Sequence, residues 1–361
     1  MPPVAKREFA ALDGLRAWAV IMVWNVHFFD AWWRSDYGLS PSSPLRPLLA
    51  TVHSGHVGVD LFFVLSGFII FHTLHKRATG FVPFMRRRYA RLLPAHLFIV
   101  APGLIAYLAA PGSRLGDALW NVILVEELVA GCKVINFVTW SLSYELVWYA
   151  LAAGWFTPAL RRVRGWPLFF GLFAVLATAH FMGCSQTAHA GIKVPDLSRF
   201  LGFLMGFGVA RLYFESPSLL HRAAALLRGA APLSLAAVFA VRWYWTRTGA
   251  AERAAPLWQL GFYLAVDLAF SVLLAATLVG PSPLRRLFSH PALQWLGRVS
   301  YSFYLVHALY GLPLGAAIAG RLPLTGVPAM AASWLVGVTA TCLLAAASFR
   351  FLERPYFQSA P

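Results

Sequence analysis

Long apolar blocks separated by short polar joints run along nearly the whole chain. About 20 apolar residues, rising about 1.5 Å each, cross the hydrocarbon core of a bilayer. Blocks of that length predict ten spanning helices, roughly 12–33, 57–75, 92–110, 137–157, 166–183, 197–214, 230–246, 257–280, 292–318 and 328–350. The block 115–131 is interrupted by Asp117, Glu126 and Glu127, and it reads as an amphipathic helix lying in the interface. The expected fold class is all-α, a polytopic transmembrane helix bundle of about ten spans. No repeat or low-complexity tract divides it, so residues 1–361 are expected to form a single membrane domain.

Charge orients this bundle. With the N-terminus in the cytosol, nineteen basic residues fall in cytosolic joints and ten outside, with Arg16 inside the first span. The cytosolic set includes Lys6, Arg7, Lys76, Arg77, Arg86–Arg87–Arg88, Arg91, Arg161, Arg162 and Arg164. That asymmetry predicts ten spans with both termini cytosolic, because an eleventh at 115–131 would invert every later joint. The composition agrees: 59% of the 361 residues are hydrophobic and 12% charged, against about 25% charged in soluble domains. The net charge of +16 then has a topological explanation, and no nucleic-acid partner is expected. Cys132, Cys184 and Cys342 lie far apart without a CxxC, so neither a disulfide framework nor a metal site is expected. The first block is too long for a cleaved signal and is not followed by a small-residue cleavage site.

Polar residues inside the apolar blocks mark the candidate chemistry. Arg16 and His27 are eleven residues apart, which puts both on one face of a helix about 16 Å apart along its axis. Alone, each is explained by snorkelling or by a bond to a neighbouring helix. Together on one stripe they point to a polar cavity for reaction or permeation. Asp60, in GHVGVDLFFVLSGFII (55–70), suits either a first-turn carboxylate at the helix dipole or a site residue. The joint FMRRRYARLLP (84–94) holds Arg88 and Arg91 three apart, a fork suited to phosphate oxygens as well as to topology or anionic lipid. Glu145, in TWSLSYELVWYAL (139–151), lies about 10 Å below the outer surface beneath Trp140, Ser141, Ser143 and Tyr144, where a carboxylate needs a partner or water. Ser300, Tyr301, Tyr304 and His307 line one side of the ninth span. His307 lies about as far from the cytosolic end of its span as His27 does, so the two histidines can meet. Asp267 has no motif around it and reads as a polar contact within the bundle.

LDGLRAWAVIMVWNVHFF with its R-x10-H spacing, GHVGVDLFFVLSGFII, RRRYARLLP, WSLSYE, GRVSYSFYLVH and the terminal ERP occur in this order. Together they resemble the acyltransferase-3 family of integral membrane acyltransferases, which includes bacterial O-acetylases of lipopolysaccharide, capsule and exopolysaccharide, and macrolide acyltransferases. The resemblance covers essentially the whole chain. It implies a bacterial cytoplasmic-membrane enzyme with acyl-CoA as donor, acetyl-CoA by family frequency, and a hydroxyl-bearing glycan, lipid-linked sugar or small molecule as acceptor. It also implies an essential pair at Arg16 and His27 and an RxxR motif at Arg88 and Arg91. The chain departs from one branch of the family in that no SGNH-type hydrolase domain follows, so transfer is expected to finish here or on a separate envelope-polysaccharide assembly partner.

Residues and resemblance converge on one expected mechanism. Arg88, Arg91 and Arg16 hold the donor phosphates, and the pantetheine arm follows the Arg16–His27 stripe. His27 is the general base, or the nucleophile of an acyl-histidine. Glu145 or Asp60 orients it, and Tyr301, Tyr304 or His307 polarises the thioester oxygen. Trp140 and Ser143 are candidates for substrate contact, and Trp32, Trp33 and Tyr37 for stacking on a sugar. Two other readings, a lipid-linked-sugar transporter and a structural membrane partner, also accommodate intramembrane polar residues.

Overall fold

The computed structural model describes residues 9–32, 39–40, 42–76, 80–156, 166–185, 187–247 and 255–359. Lys6, Arg7, Arg77, Arg161, Arg162, Arg164, Trp33 and Tyr37 lie outside the described residues, and of Trp32 only the backbone is described.

The described chain is an all-α bundle. Its first half comprises α1 (Ala10–Trp32), α2 (Leu45–His53), α3 (Gly58–Lys76), α4 (Phe81–Ala109), α5 (Leu115–Val122), α6 (Trp140–Leu151) and α7 (Pro167–Phe181). Its second half comprises α8 (Phe200–Glu215), α9 (Pro217–Arg222), α10 (Ala224–Arg247), α11 (Pro256–Leu278), α12 (Pro283–Phe288), α13 (Pro291–Arg298), α14 (Ser300–Val306), α15 (Leu312–Ala319), α16 (Gly326–Ser348) and α17 (Arg354–Ser359). A small hairpin, Ala188–His189 with Ile192–Lys193, joins α7 to α8.

Every predicted span overlaps a helix, and seven helical stretches among the described residues are long and apolar enough to cross a membrane. The other three fall short for different reasons. α1 has the length, 23 residues, but carries Asp13, Arg16, Asn25, His27 and Asp30. α6 is 12 residues, continued by a π-helical turn at Ala152–Phe156, and α7 is 15.

Three boundaries differ from expectation. α4 begins at Phe81 instead of 92, so the arginine run lies on the helix itself and not in a joint. Met, Arg, Ala and Leu are good helix formers, and the run continues into the apolar part despite Pro94. The amphipathic segment stops at Val122, because Leu124 takes the left-handed conformation at φ 62° and the chain turns there. The ninth span is broken into α13, α14, a π-turn at His307–Gly311 and α15.

Two reciprocal close approaches fix α3 against α8. A Cβ on Gly67 would lie 2.0 Å from the carbonyl oxygen of Phe203, and one on Gly206 would lie 1.8 Å from that of Val64. Only glycine allows these backbones to meet, a packing mode suited to membrane helices. Beside this seam Phe63 stacks on Phe203 at 4.3 Å. The opposite side of α3 turns toward α1, α4, α6 and α14, and the site lies there.

Candidate active site

α1, α3, α4, α6 and α14 enclose a cavity of about 70 Å³ lined by Arg16, Ser66, Arg88, Arg91, Ser141, Glu145, Tyr149, Tyr301 and Tyr304 over an apolar wall that includes Phe62 and Ile69. A single water needs about 10–15 Å³, so the space holds several. A second cavity of about 340 Å³ shares Arg16, Ile69 and Arg91 with the first and adds Asp13, His72, Arg298 and Phe349. The two make one track. Arg16, Arg88, Arg91 and Arg298 face it against Asp13 and Glu145, so its lining has two more cations than anions. Such a lining suits an anionic ligand.

The arginines are positioned from their own helices. Arg88 and Arg91 are one turn apart on α4. Arg88 packs over the rings of Phe84 and Tyr149 at 5.0 and 5.1 Å and reaches Thr73 Oγ1 at 3.4 Å. Arg16 comes from α1 and interacts electrostatically with Arg91, Asp13 and Glu145. Glu145 Oε1 accepts hydrogen bonds from Ser66 and Tyr149, each at 2.5 Å. Glu353 is a further member that sequence reasoning left without a role. It lies in a π-turn at Phe349–Glu353, 1% exposed, accepts a 2.5 Å bond from Ser302, and balances the charge of Arg91 and Arg16. Its signal was the ERP motif. Ser66 and Tyr149 lie within GHVGVDLFFVLSGFII and TWSLSYELVWYAL, but neither stands out there for a polar role.

His27 and His307 meet, as equal depth predicts. His27 Nδ1 and His307 Nε2 are 2.7 Å apart, with the rings stacked at 5.0 Å. His307 Nδ1 lies 2.6 Å from the backbone carbonyl of Tyr304. A carbonyl only accepts, so His307 carries its proton on Nδ1 and, when neutral, offers Nε2 as acceptor. His27 therefore donates from Nδ1, and its own lone pair is on Nε2, which has no partner among the described residues. The chain of donors runs from His27 through His307 to a fixed backbone dipole.

Tyr304 stands between this pair and the cavity. Its hydroxyl donates to Val138 O at 2.7 Å and lies 2.8 Å from Ser141 Oγ, while its ring is 5.6 Å from that of His307. Tyr301 donates to Leu92 O at 2.7 Å. Both tyrosine protons are thus held by backbone carbonyls.

Neither expected carboxylate reaches His27. Glu145 is held by Ser66 and Tyr149 inside the cavity. Asp60 points to another face of α3, where its Oδ1 accepts from Arg199 Nη1 at 2.7 Å. Arg199 is packed over the rings of Tyr263 at 4.1 Å and Trp140 at 5.2 Å, which places Trp140 in that cluster and outside the cavity lining. Asp267 belongs to the same group through its electrostatic interaction with Asp60 and Arg199, and neither of its oxygens accepts a hydrogen bond from the described residues. Ser143 donates to Leu124 O at 2.9 Å and so ties α6 to the turn that ends the amphipathic segment.

No solved structure matches this chain. Acyltransferase MdmB of Streptomyces mycarofaciens is 26% identical over 333 residues, covering 85% of this chain and 80% of that protein. Peptidoglycan O-acetyltransferase OatA of Listeria monocytogenes is 26% identical over 384 residues, covering 97% of this chain and 56% of OatA. A putative O-acetyltransferase of Staphylococcus aureus is 24% identical, over 97% of this chain and 57% of its own length. The chain thus spans little more than half of the latter two. The family profile described as "Acyltransferase domain" (Acyl_transf_3) matches residues 9–350, nearly the whole chain. This integral membrane protein, with its basic track and paired histidines, belongs to the acyltransferase-3 family and is a membrane acyltransferase.

Proposed function

We propose that this acyltransferase carries an acyl group, acetyl in the first instance, from cytosolic acyl-CoA to a hydroxyl on an acceptor at the outer face of the bacterial cytoplasmic membrane. The observation that carries this reading is the continuity of the cation-rich track with the histidine pair just beyond Tyr304. The family of acyltransferases and the O-acetyltransferase relatives support acetyl transfer to oxygen. The name of OatA supports a glycan acceptor.

The donor phosphates sit at the inner end among Arg88, Arg91 and Arg16, where planar guanidinium forks match phosphate oxygens. The pantetheine arm runs from these arginines along the track toward Tyr304, beyond which His27 stands. His27 Nε2 takes the proton of the acceptor hydroxyl while the oxygen attacks the thioester carbonyl. The C–S bond then breaks, and the imidazolium returns the proton to the leaving thiolate, giving free CoA and the ester. His307 holds the His27 ring in the required tautomer, the part an orienting carboxylate plays in a triad.

The test is CoA-thiol release by the protein in nanodiscs, with acetyl-CoA and a panel of glycan, lipid-linked-sugar and small-molecule acceptors. Acceptor-dependent release is expected. Arg88→Ala/Arg91→Ala should raise the KM for acetyl-CoA by at least about 100-fold with a smaller change in kcat, since two charge-assisted contacts of about 1.5–3 kcal/mol each are removed. Movement of a lipid-linked sugar without any thiol release would make the protein a transporter and end this reading.

A further inference from the structure

Ser300 is only 1% exposed, yet its Oγ has no hydrogen-bond partner among the described residues. A hydroxyl left alone inside a protein costs stability, so each such group calls for a reason. Ser300 lines the 70 Å³ cavity, as does Glu145. Glu145 is half satisfied. Its Oε1 takes both hydroxyls that reach it, from Ser66 and Tyr149, and its Oε2 accepts no hydrogen bond from the described residues.

The two residues stand at one level of the cavity. Asn136, just before α6, donates from Nδ2 to Leu305 O at 3.2 Å; Ser141 Oγ lies 2.8 Å from the Tyr304 hydroxyl; and Glu145 interacts with Tyr301. Numbers rise along α6 as they fall along α14, so the two helices run antiparallel. Glu145 follows Ser141 by four residues, and Ser300 precedes Tyr304 by four. Both are therefore about 6 Å, one turn, from the Ser141–Tyr304 bond, in the same direction along the cavity. One wall presents a carboxylate oxygen, which only accepts, and the other a hydroxyl with a proton to give. The rest of the lining at hand is apolar, with Val59, Phe62, Leu65 and Leu142.

This pattern matches a secondary amide in an extended chain. A trans amide is planar, and its N–H and C=O point to opposite sides of the chain. Threaded along the track, it donates to one wall and accepts from the other. A phosphate offers only acceptors and is repelled by the carboxylate, and an alkyl chain uses neither wall. A pantetheine arm has two such amides, the nearer one two carbons from the thioester sulfur. We infer that Glu145 Oε2 and Ser300 Oγ grip that nearer amide, Glu145 accepting its N–H and Ser300 donating to its carbonyl. The grip fixes how far the thioester travels along the track, next to the level of Tyr304. This rests on the acyl-CoA reading and goes beyond the arginine contacts, which hold the other end of the donor. Neither residue takes part in the acyl transfer itself.

The test needs no acceptor. Binding of acetyl-CoA is measured by calorimetry on the protein in nanodiscs, beside an analogue in which an ester oxygen replaces that N–H. The analogue keeps the carbonyl for Ser300 and loses the donor to Glu145. Wild type is expected to bind acetyl-CoA at least about tenfold more tightly than the analogue, the strength of a hydrogen bond to a charged acceptor. In Glu145→Gln the amide oxygen keeps Ser66 and Tyr149 and the NH2 turns to the cavity, so the preference should fall below about threefold. In Ser300→Ala both ligands should weaken about fivefold with the preference intact, while the ligand-free protein melts no lower than wild type. Equal binding of both ligands by wild type, or a preference that survives Glu145→Gln, overturns the inference. So does unchanged affinity in Ser300→Ala, or weaker binding there that tracks a lower melting temperature, which marks a structural role. In each of those outcomes the acyl-CoA reading stands. Wild type that binds neither ligand refutes that reading itself.

Discussion

α3 carries polar residues on two faces, and the two have opposite fates. Ser66 faces the cavity, where three arginines and Glu145 surround open space with an excess of positive charge. Asp60 is six residues earlier, which turns it about 120° away on a helix. It meets Arg199 at 2.7 Å in a cluster with Asp267, and that cluster is packed tightly: Tyr263 lies 4.1 Å from the guanidinium, and a Cβ on Gly202 would come within 2.9 Å of Asp267 Oδ1. Both clusters combine arginine with carboxylate inside an apolar bundle. The difference is room. Charge around unfilled space is arranged for a ligand, whereas charge sealed between aromatic rings holds helices in place.

The sharpest way to break this comparison is to remove one ionisable group from each side. His27→Ala should lower kcat by about 10³, within the range of a lost general base, while acetyl-CoA binding, measured by calorimetry, stays near wild type. Asp60→Ala should do the reverse. It leaves Arg199 buried without its carboxylate, a change that costs about 3–5 kcal/mol in stability, while the thiol-release rate per folded molecule changes little. If Asp60→Ala abolished turnover in protein with a normal melting curve, the division between ligand site and scaffold would be wrong.

A smaller effect is expected at His307, which acts through His27. In His307→Ala the His27 ring loses its acceptor, and kcat should fall about 10–100-fold with both KM values unchanged, the cost of a misplaced reacting group. Glutamine at this position offers an amide oxygen to His27 Nδ1 and should restore part of the rate. A purely structural role for His307 predicts no such recovery in His307→Gln.

The histidine pair also shows how far the sequence reaches. Depth along a helix follows from counting residues, so the level of His27 and His307 was legible, as was the helical character of all ten segments. The helix under Arg86–Arg91 was hidden because basic residues resemble a joint when only hydropathy is read. What counting does not give is azimuth between helices. Which face of α3 meets the cavity is decided by Gly67 and Gly206 closing on α8, a long-range fit with no periodic signal. That is why a carboxylate was expected beside His27 where a second histidine stands, and why Asp60 was grouped with a site that it does not face. The double role of Tyr304, whose carbonyl fixes His307 and whose hydroxyl fixes Val138, is likewise a tertiary fact.

The smallest expected effect concerns the loop that leads to Phe137. Thr139 Oγ1 lies within hydrogen-bonding distance of both Asn136 O and Glu126 Oε1, but a hydroxyl has one proton. With that proton donated to Asn136 O, a bond to Glu126 requires the carboxyl to carry a proton of its own. Burial, with Glu126 only 1% exposed, pushes its pKa up to about 7. In the unfolded chain the same carboxyl loses its proton near 4.5. The folded state therefore binds the proton more tightly, and the stability this provides is complete below pH 4.5 and drains away as pH rises to about 7. Melting curves in nanodiscs between pH 4.5 and 8 should show wild type losing a few degrees relative to Glu126→Gln, whose neutral amide does not titrate. Above pH 7 the gap should stay constant. Thr139 closes the turn that carries Phe137 on Asn136 O. Parallel pH profiles for the two proteins would remove Glu126 from the support of that turn.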